Sequence, residues 1–439
     1  MFRTGLALAA SLALISCAEE ERILPGERLE LREALQTQGG EAPLAVNVSR
    51  AATLPGMQAN AGWTQSPVSP GVRTDHAALS LPLSPLWQSG IGGGDGKRQR
   101  LIADPVTDGT RIFTLSSDFQ LTATSTGGQT LWSRAVVPLS ETSAQAMGGG
   151  LALAGGRLFV TTGFGELRAL NPADGSELWV QEVDNTASGA PSVVGDLVYL
   201  TAGDRTGWAV EASDGRVRWQ LDGLGDSVNV AGAPAPAVSG DRVVFAFGDG
   251  TLQSTFREGG LTLWSATLAG GRPGRAMSAF DDVTGDPVIA NGRVYAGTHT
   301  GRLVALDLYS GDRLWTLNSG ALDRPWVAGG SVYAISDENT LLRVDAETGA
   351  QIWEVDLPGW VPRRKPQRQR DRSFANYGPV LAGGQVIVAS SDGFIRSFDP
   401  ASGALTGQTE IAGGATTAPI VAGGVLYVVS SRGVLHAYR

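Results

Sequence analysis

From residue 87 onward a tryptophan returns at a nearly constant interval: Trp87, Trp132, Trp179, Trp219, Trp264, Trp315 and Trp353, with Leu405 taking the equivalent place once more. The mean spacing of about 45 residues is that of a propeller blade, a unit that cannot bury its own apolar face and must stack on its neighbours. Ahead of most of these positions comes a turn rich in Gly and Asp: Asp174-Gly175, Asp214-Gly215, Gly259-Gly260, Ser310-Gly311, Thr348-Gly349 and Ser402-Gly403. Glycine takes positive φ without steric cost, so such pairs suit tight hairpins. A chain with 60 glycines and only 18% charged residues has the composition that many short strands joined by tight turns require.

Each unit divides into four strands. In the fifth, Pro287-Val288-Ile289-Ala290 reads as the innermost strand and Asn291-Gly292 as the turn. Residues 293–297 form the second strand, 302–306 the third, Ser310-Gly311 the next turn, and Leu314-Trp315 the outermost. The same phrase recurs at Ala190-Pro191-Ser192-Val193, at Gly378-Pro379-Val380 and at Ala418-Pro419-Ile420-Val421. The last unit, 418–438, supplies three strands and stops, whereas Pro85-Leu86-Trp87 is an outer strand with no inner strands before it. Together they make one blade, and joining them removes the free edges of an open ring. The expected fold is all-β: an eight-bladed β-propeller of four-stranded blades over 81–439, closed by an N-terminal strand that completes the last blade. The repeating tryptophans are expected to pack between neighbouring blades, not to form a substrate platform.

The chain opens with Arg3 and then a run, 6–15, that is apolar apart from Ser11. It is too short to span a bilayer and reads as a secretory signal peptide over 1–16. Its end, Leu14-Ile15-Ser16-Cys17, resembles the lipobox of bacterial lipoproteins, which implies cleavage before a lipidated Cys17, the only cysteine of the chain. Three acyl chains, at about 0.8 kcal/mol per buried methylene, would make release negligible. Ala18 stands where an aspartate would signal retention at the inner membrane, so the expected location is the periplasmic face of the outer membrane. Residues 17–80 show no period and little apolar surface apart from a possible short helix over 27–35. They are expected to form a largely disordered tether.

The chemistry-bearing residue types are sparse. A formal charge of −9 argues against nucleic acid as a partner, as does export. The three histidines, His76, His299 and His436, do not stand at metal-ligand spacing. No G-x-S-x-G elbow, P-loop or dinucleotide fingerprint is present, although a Ser-His-Asp site assembled only in the fold stays open. Two stretches depart from the repeat. One, 277–286, carries Asp281, Asp282 and Asp286; it reads as a solvated acidic loop or a partner-binding loop, and its spacing does not match an EF-hand. The other is a basic insertion within 360–377, where Arg363, Arg364, Lys365, Arg368, Arg370 and Arg372 crowd beside Trp360, Phe374 and Tyr377. It reads either as a solvated loop or as a contact for anionic lipid or an acidic partner face.

The phrase Gly301-Arg302-Leu303-Val304-Ala305-Leu306-Asp307, followed by Gly311 and Trp315, is similar to the repeat of the pyrroloquinoline-quinone-type propellers. Of that superfamily, the quinoprotein dehydrogenases use adjacent cysteines and a calcium ion, and the single Cys17 cannot make such a pair. Over nearly its whole length the chain instead resembles the BamB family of outer-membrane assembly lipoproteins. The resemblance implies a non-enzymatic scaffold without cofactor. It further implies BamA as the partner, through its POTRA domains, and unfolded outer-membrane proteins as possible clients. Family loops that meet the partner are most similar to Ser227-Val228-Asn229-Val230-Ala231-Gly232-Ala233-Pro234 and Asp281-Asp282-Val283-Thr284, which makes Val228, Asn229, Asp281 and Asp282 the candidate contacts. Asn229 stands where the family often has arginine, and Thr284 where a second aspartate is common. The alternatives are a periplasmic quinone-dependent dehydrogenase and a propeller lipoprotein with an unrelated partner.

Overall fold

The computed structural model describes residues 47–66, 74–183, 185–203, 205–223, 232–268, 270, 283–362 and 372–439. Among the described residues, thirty-two strands form eight four-stranded antiparallel sheets, as the repeat predicts. Blade 1 begins at Val106–Thr107 and ends at Thr130–Ala135; blades 2 to 7 follow in chain order, their outer strands being Glu177–Glu182, Val217–Asp222, Thr262–Thr267, Arg313–Leu317, Gln351–Asp356 and Leu405–Glu410. Blade 8 takes three strands from Ile420–Ala422, Val425–Ser430 and Val434–Tyr438, and its fourth from Pro85–Gly90. The blade-5 reading holds strand by strand, including the turn, where Asn291 and Gly292 have φ of 52° and 73°. Among the described residues no helix is long and apolar enough to cross a membrane.

The apolar clusters lie between blades. Phe113 and Leu121 of blade 1 share one with Leu151 and Leu158 of blade 2, and Tyr295 and Leu303 of blade 5 share another with Val332 and Leu342 of blade 6. Each repeating tryptophan bridges such a junction in the same way. Its indole N–H donates to a carbonyl in the outer turn of the next blade: Trp132 to Pro172 at 3.1 Å, Trp264 to Leu308 at 2.8 Å, Trp353 to Pro400 at 3.1 Å. The glycine of that turn then lies flat against the ring. At Gly349, with φ of 72°, a Cβ would come 2.6 Å from the Trp315 ring, so this position demands glycine twice over. The tryptophans are therefore packing elements, as expected, and Trp353 is fully buried.

The eighth junction departs from the sequence reading. Blades 1 to 7 share a bulge in the outer strand pair, and in that common register Gly407, not Leu405, stands opposite Ser397 at the tryptophan position, while Leu405 is exposed. The reason is the seam. A tryptophan of blade 7 would need an outer turn on blade 8, but that blade's last two strands come from distant parts of the chain and share no turn. Here Tyr438 Oη donates to the Glu410 carbonyl of blade 7 at 3.0 Å, and the seam within blade 8 is tied by reciprocal bonds, Ser84 N–H to the Arg439 carbonyl and Arg439 N–H to the Ser84 carbonyl, both 2.8 Å.

The described part of the expected tether, residues 47–66 and 74–80, is bound to the ring. Val48 N–H bonds the Ile352 carbonyl at the edge of blade 6, and the Asn47 side-chain amide bonds both the N–H and the C=O of Glu354. The buried Arg343 guanidinium holds the carbonyls of Arg50 and Ala51 together with Pro400 of blade 7. Gln58 bridges to Ala77, which pairs in turn with Ala382 of blade 7, and Asn60 bonds Val421 and Gly423 of blade 8. The segment then turns to the axis, where Trp63 pairs with Thr107 of blade 1, Thr64 with Leu153 of blade 2, and Gln65 with Val193 of blade 3. This strap escapes a composition-based reading because polar and backbone groups, satisfied by the ring, carry most of its attachment.

Candidate functional site

Strands that alternate in direction leave the connections between blades, and the middle hairpin of each blade, on one face of the ring. The strap covers the turns of the opposite face. Trp63 stacks on Trp326 with centroids 6.1 Å apart, and with Gln65 and Ser66 it floors a central cavity of about 810 Å³. The cavity thus opens toward the face that bears the inter-blade connections.

Three of its charged lining residues come from one repeated position. Seven inner strands open on an X-Pro step. Where blades 3, 4, 7 and 8 have Ala190, Ala235, Gly378 and Ala418 before the proline, blades 1, 5 and 6 have Asp104, Asp286 and Arg324. Arg324 is 4% exposed and reaches across the axis: its Nη1 donates to Asp104 at 2.8 Å and to Ser66 Oγ at 3.1 Å, and lies 3.7 Å from Asp286. Ser66 Oγ donates to Asp286 at 2.7 Å. The carboxylates also accept backbone N–H groups: Asp104 from Ala418, Asp286 from Ala235, and the neighbouring Asp323 from Gly378. One guanidinium cannot neutralise three carboxylates. Burial pushes the Asp323 carboxyl up to about 6, against the pull of Arg324, and raises Asp286 as well. The sequence signal for this cluster is the charge at the pre-proline position of the repeat.

Flanks of the connection that carries Val228 and Asn229, and of the two stretches that depart from the repeat, line the cavity. Gly232 and Ala233 follow the first, Thr284 and Asp286 the second, and Trp360, Ser373 and Phe374 bracket the basic one. That last pair of flanks forms a hairpin stem, with Trp360 bridged to Ser373 and Val361 N–H bonded to the Arg372 carbonyl at 3.0 Å. Thr284 turns inward, donating to the Ala321 carbonyl at 3.0 Å, and Val283 is fully buried. Cys17, Val228, Asn229, Asp281, Asp282, Arg363, Arg364, Lys365, Arg368 and Arg370 lie outside the described residues, as does 27–35; Arg372 is described and exposed.

The histidines stand apart, and two of them are structural. His76 bonds the Pro55 carbonyl and the Gly384 N–H, and His436 meets Ser430 Oγ at 3.1 Å inside blade 8, both side chains buried away from the cavity. Among the described residues no group of three or more His, Cys, Asp or Glu side chains converges in a way that could hold a metal ion. At the axis, Arg324 fills the place between Asp104 and Asp286 where a cation would otherwise sit. This donor set does not fit the calcium and quinone of the dehydrogenase branch.

A family described as "Outer membrane protein assembly factor BamB" matches residues 117–355 and 344–439. Curated relatives of that name include the Yersinia pestis protein, 24% identical over 80% of this chain and 88% of its own length. The Escherichia coli K12 protein is 23% identical over 80% and 87%. Among solved structures, BamB from Moraxella catarrhalis superposes with a TM-score of 0.66 at 18% identity, covering 82% of this chain and all of that one. A europium-containing methanol dehydrogenase superposes with a TM-score of 0.65 at 14% identity over 84% and 89%, so the architecture is shared with enzymes.

Proposed function

Since the chain belongs to the family of the outer membrane protein assembly factor BamB, we propose that it is a non-enzymatic scaffold subunit of the β-barrel assembly machine. In this reading it is held by lipidated Cys17 at the periplasmic face of the outer membrane. It binds the POTRA domains of BamA and presents unfolded outer-membrane proteins. The observation that carries the partner role is that the flanks of the three candidate loops line one cavity, whose Arg324 is already engaged with Asp104. A stapled ring offers a broad loop-bearing face that meets a partner without ordering cost.

The contacts proposed are Val228 and Asn229 beside Asp281 and Asp282, an apolar anchor next to charge, as in an interface hot spot. Charge reversal, Asp281→Lys with Asp282→Lys, is expected to weaken affinity for purified POTRA domains by about tenfold or more and to exceed the effect of the alanine pair. Deleting 363–372 is expected to leave that affinity unchanged, with thermal melting as the control for folding. Wild-type affinity in the reversed protein, with loss in the deletion, would assign the interface to the basic insertion instead.

The anchor has its own test. Cys17→Ser is expected to leave the propeller folded while the protein moves from the membrane fraction to the soluble periplasm. Continued fractionation with membranes would place retention elsewhere in the molecule or in its partner.

A further inference from the structure

The strap's first contact shows what the rim of this ring can do. Along blade 6 the chain lays its own extended segment against the outer strand: Val48 N–H bonds the carbonyl of Ile352, the residue just before Trp353, and Asn47 imitates a peptide group toward Glu354. Ile352 is 5% exposed as a result. At the equivalent place other blades carry leucines that nothing covers, Leu131 and Leu178 being 51% and 50% exposed.

These edges are not alike. Outer strands are kept from pairing with foreign chains by charge, proline or glycine. Six of the other seven carry at least one charged residue, such as Arg134, Glu177 or Arg218, and that of blade 8 starts at Pro85 and ends at Gly90. Blade 4 alone has none of these. Its outer strand, Thr262–Thr267, reads Thr-Leu-Trp-Ser-Ala-Thr, rich in residues that favour extended structure. Leu263, the counterpart of Ile352, is 39% exposed, and Leu261 just ahead of it is 68% exposed. The neighbouring blade packs its core side chains on Trp264, and its Arg313 reaches the far end of the strand, where Nη2 bonds the Thr267 carbonyl.

We propose that the outer edge of blade 4 is a docking site for an extended, unfolded polypeptide segment with alternating apolar side chains. The segment adds as a fifth strand, as residues 47 and 48 do at blade 6. Backbone bonds along the edge supply affinity without sequence reading, and the leucines select an apolar side chain at alternate positions. Blade 6 is closed to such ligands by the strap, and the charged edges disfavour them. The inference rests on the client half of the function proposed above and names the surface that serves it.

The test uses the purified full chain and a labelled, end-capped ten-residue peptide alternating valine with threonine and serine, followed by fluorescence anisotropy. Leu263→Lys with Ser265→Lys is expected to lower peptide affinity at least tenfold, while Leu178→Lys with Val180→Lys on blade 2 changes it less than twofold. No binding to the wild type, or equal losses at the two edges, would overturn the assignment. Should the blade-4 variant fail to fold, a photo-crosslinking phenylalanine at position 263 in an otherwise unchanged chain must capture the peptide, and absence of capture overturns it equally. POTRA affinity of the same variants separates the two readings: retained POTRA binding with no peptide binding sinks the edge alone, and peptide binding without POTRA binding sinks the family role alone.

Discussion

Replacing Arg324 by methionine will destabilise the ring by about 3 to 5 kcal/mol at pH 8, because removing one partner strands buried charges that the other cannot offset. The guanidinium joins Asp104 of blade 1, Asp286 of blade 5 and Ser66 of the strap from its own place at the head of blade 6. Without it, three carboxylates face one another at the axis. The loss should shrink in acid. A carboxyl whose folded pKa lies above its unfolded value opposes folding once ionised, and that opposition is complete above the folded pKa and absent below the unfolded one. For Asp323 the window runs from its ordinary 3.8 to about 6 in the wild type, and it extends higher when Arg324 is gone. Urea titrations at pH 8 and pH 5 decide the matter: a variant equally weakened at both would show that shape, and not charge, is what Arg324 contributes.

Trp353→Ala should cost a similar amount, about 3 to 5 kcal/mol, for a different reason: a cavity opens between blades 6 and 7. Trp353 has no exposed surface; it packs on Tyr333 with centroids 6.0 Å apart, donates to the Pro400 carbonyl and carries Gly403 on its face. The ring is closed, so the loss should register in the global unfolding transition and not as fraying of one blade. The same change at the half-buried Trp87 should cost less. A loss below about 1 kcal/mol at Trp353 would mean that the junction refills without it.

What the sequence made legible is what repeats. Strand positions, hairpin turns and the seam between Pro85–Gly90 and Val434–Tyr438 follow from period and alternation alone. The second duty of the turn glycines does not, since Gly175 meets Trp132 only after two blades are in register. Gly407 was legible but passed over: it follows Gly403 by four residues, as Trp179 follows Gly175, and only the missing aromatic side chain drew the reading to Leu405. The strap was read as tether because its few large apolar residues show no period, while its partners are groups of the ring that lie as far as 361 residues away. Arg324, Asp104 and Asp286 did carry a signal, since each breaks a small-residue position before proline. That signal gains meaning only when the eight strand heads are brought round one axis. The loop residues Val228, Asn229, Asp281 and Asp282 were inferred from resemblance, and the ring fixes only their flanks, at Gly232 and Val283.

The order in which the chain meets the ring also decides how a mechanical load would be carried. Among the described residues, a pull from the N-terminal side is felt first at Glu354 and Ile352, then at Arg343, Ala401 and Val421, before Ser84 and the closing strand. The two-ended seam of blade 8, with its exchanged bonds between Ser84 and Arg439, is therefore shielded from tension by a series of attachments on blades 6, 7, 8, 1, 2 and 3. A molecule moored by its N-terminal side can be tugged without its ring being unzipped.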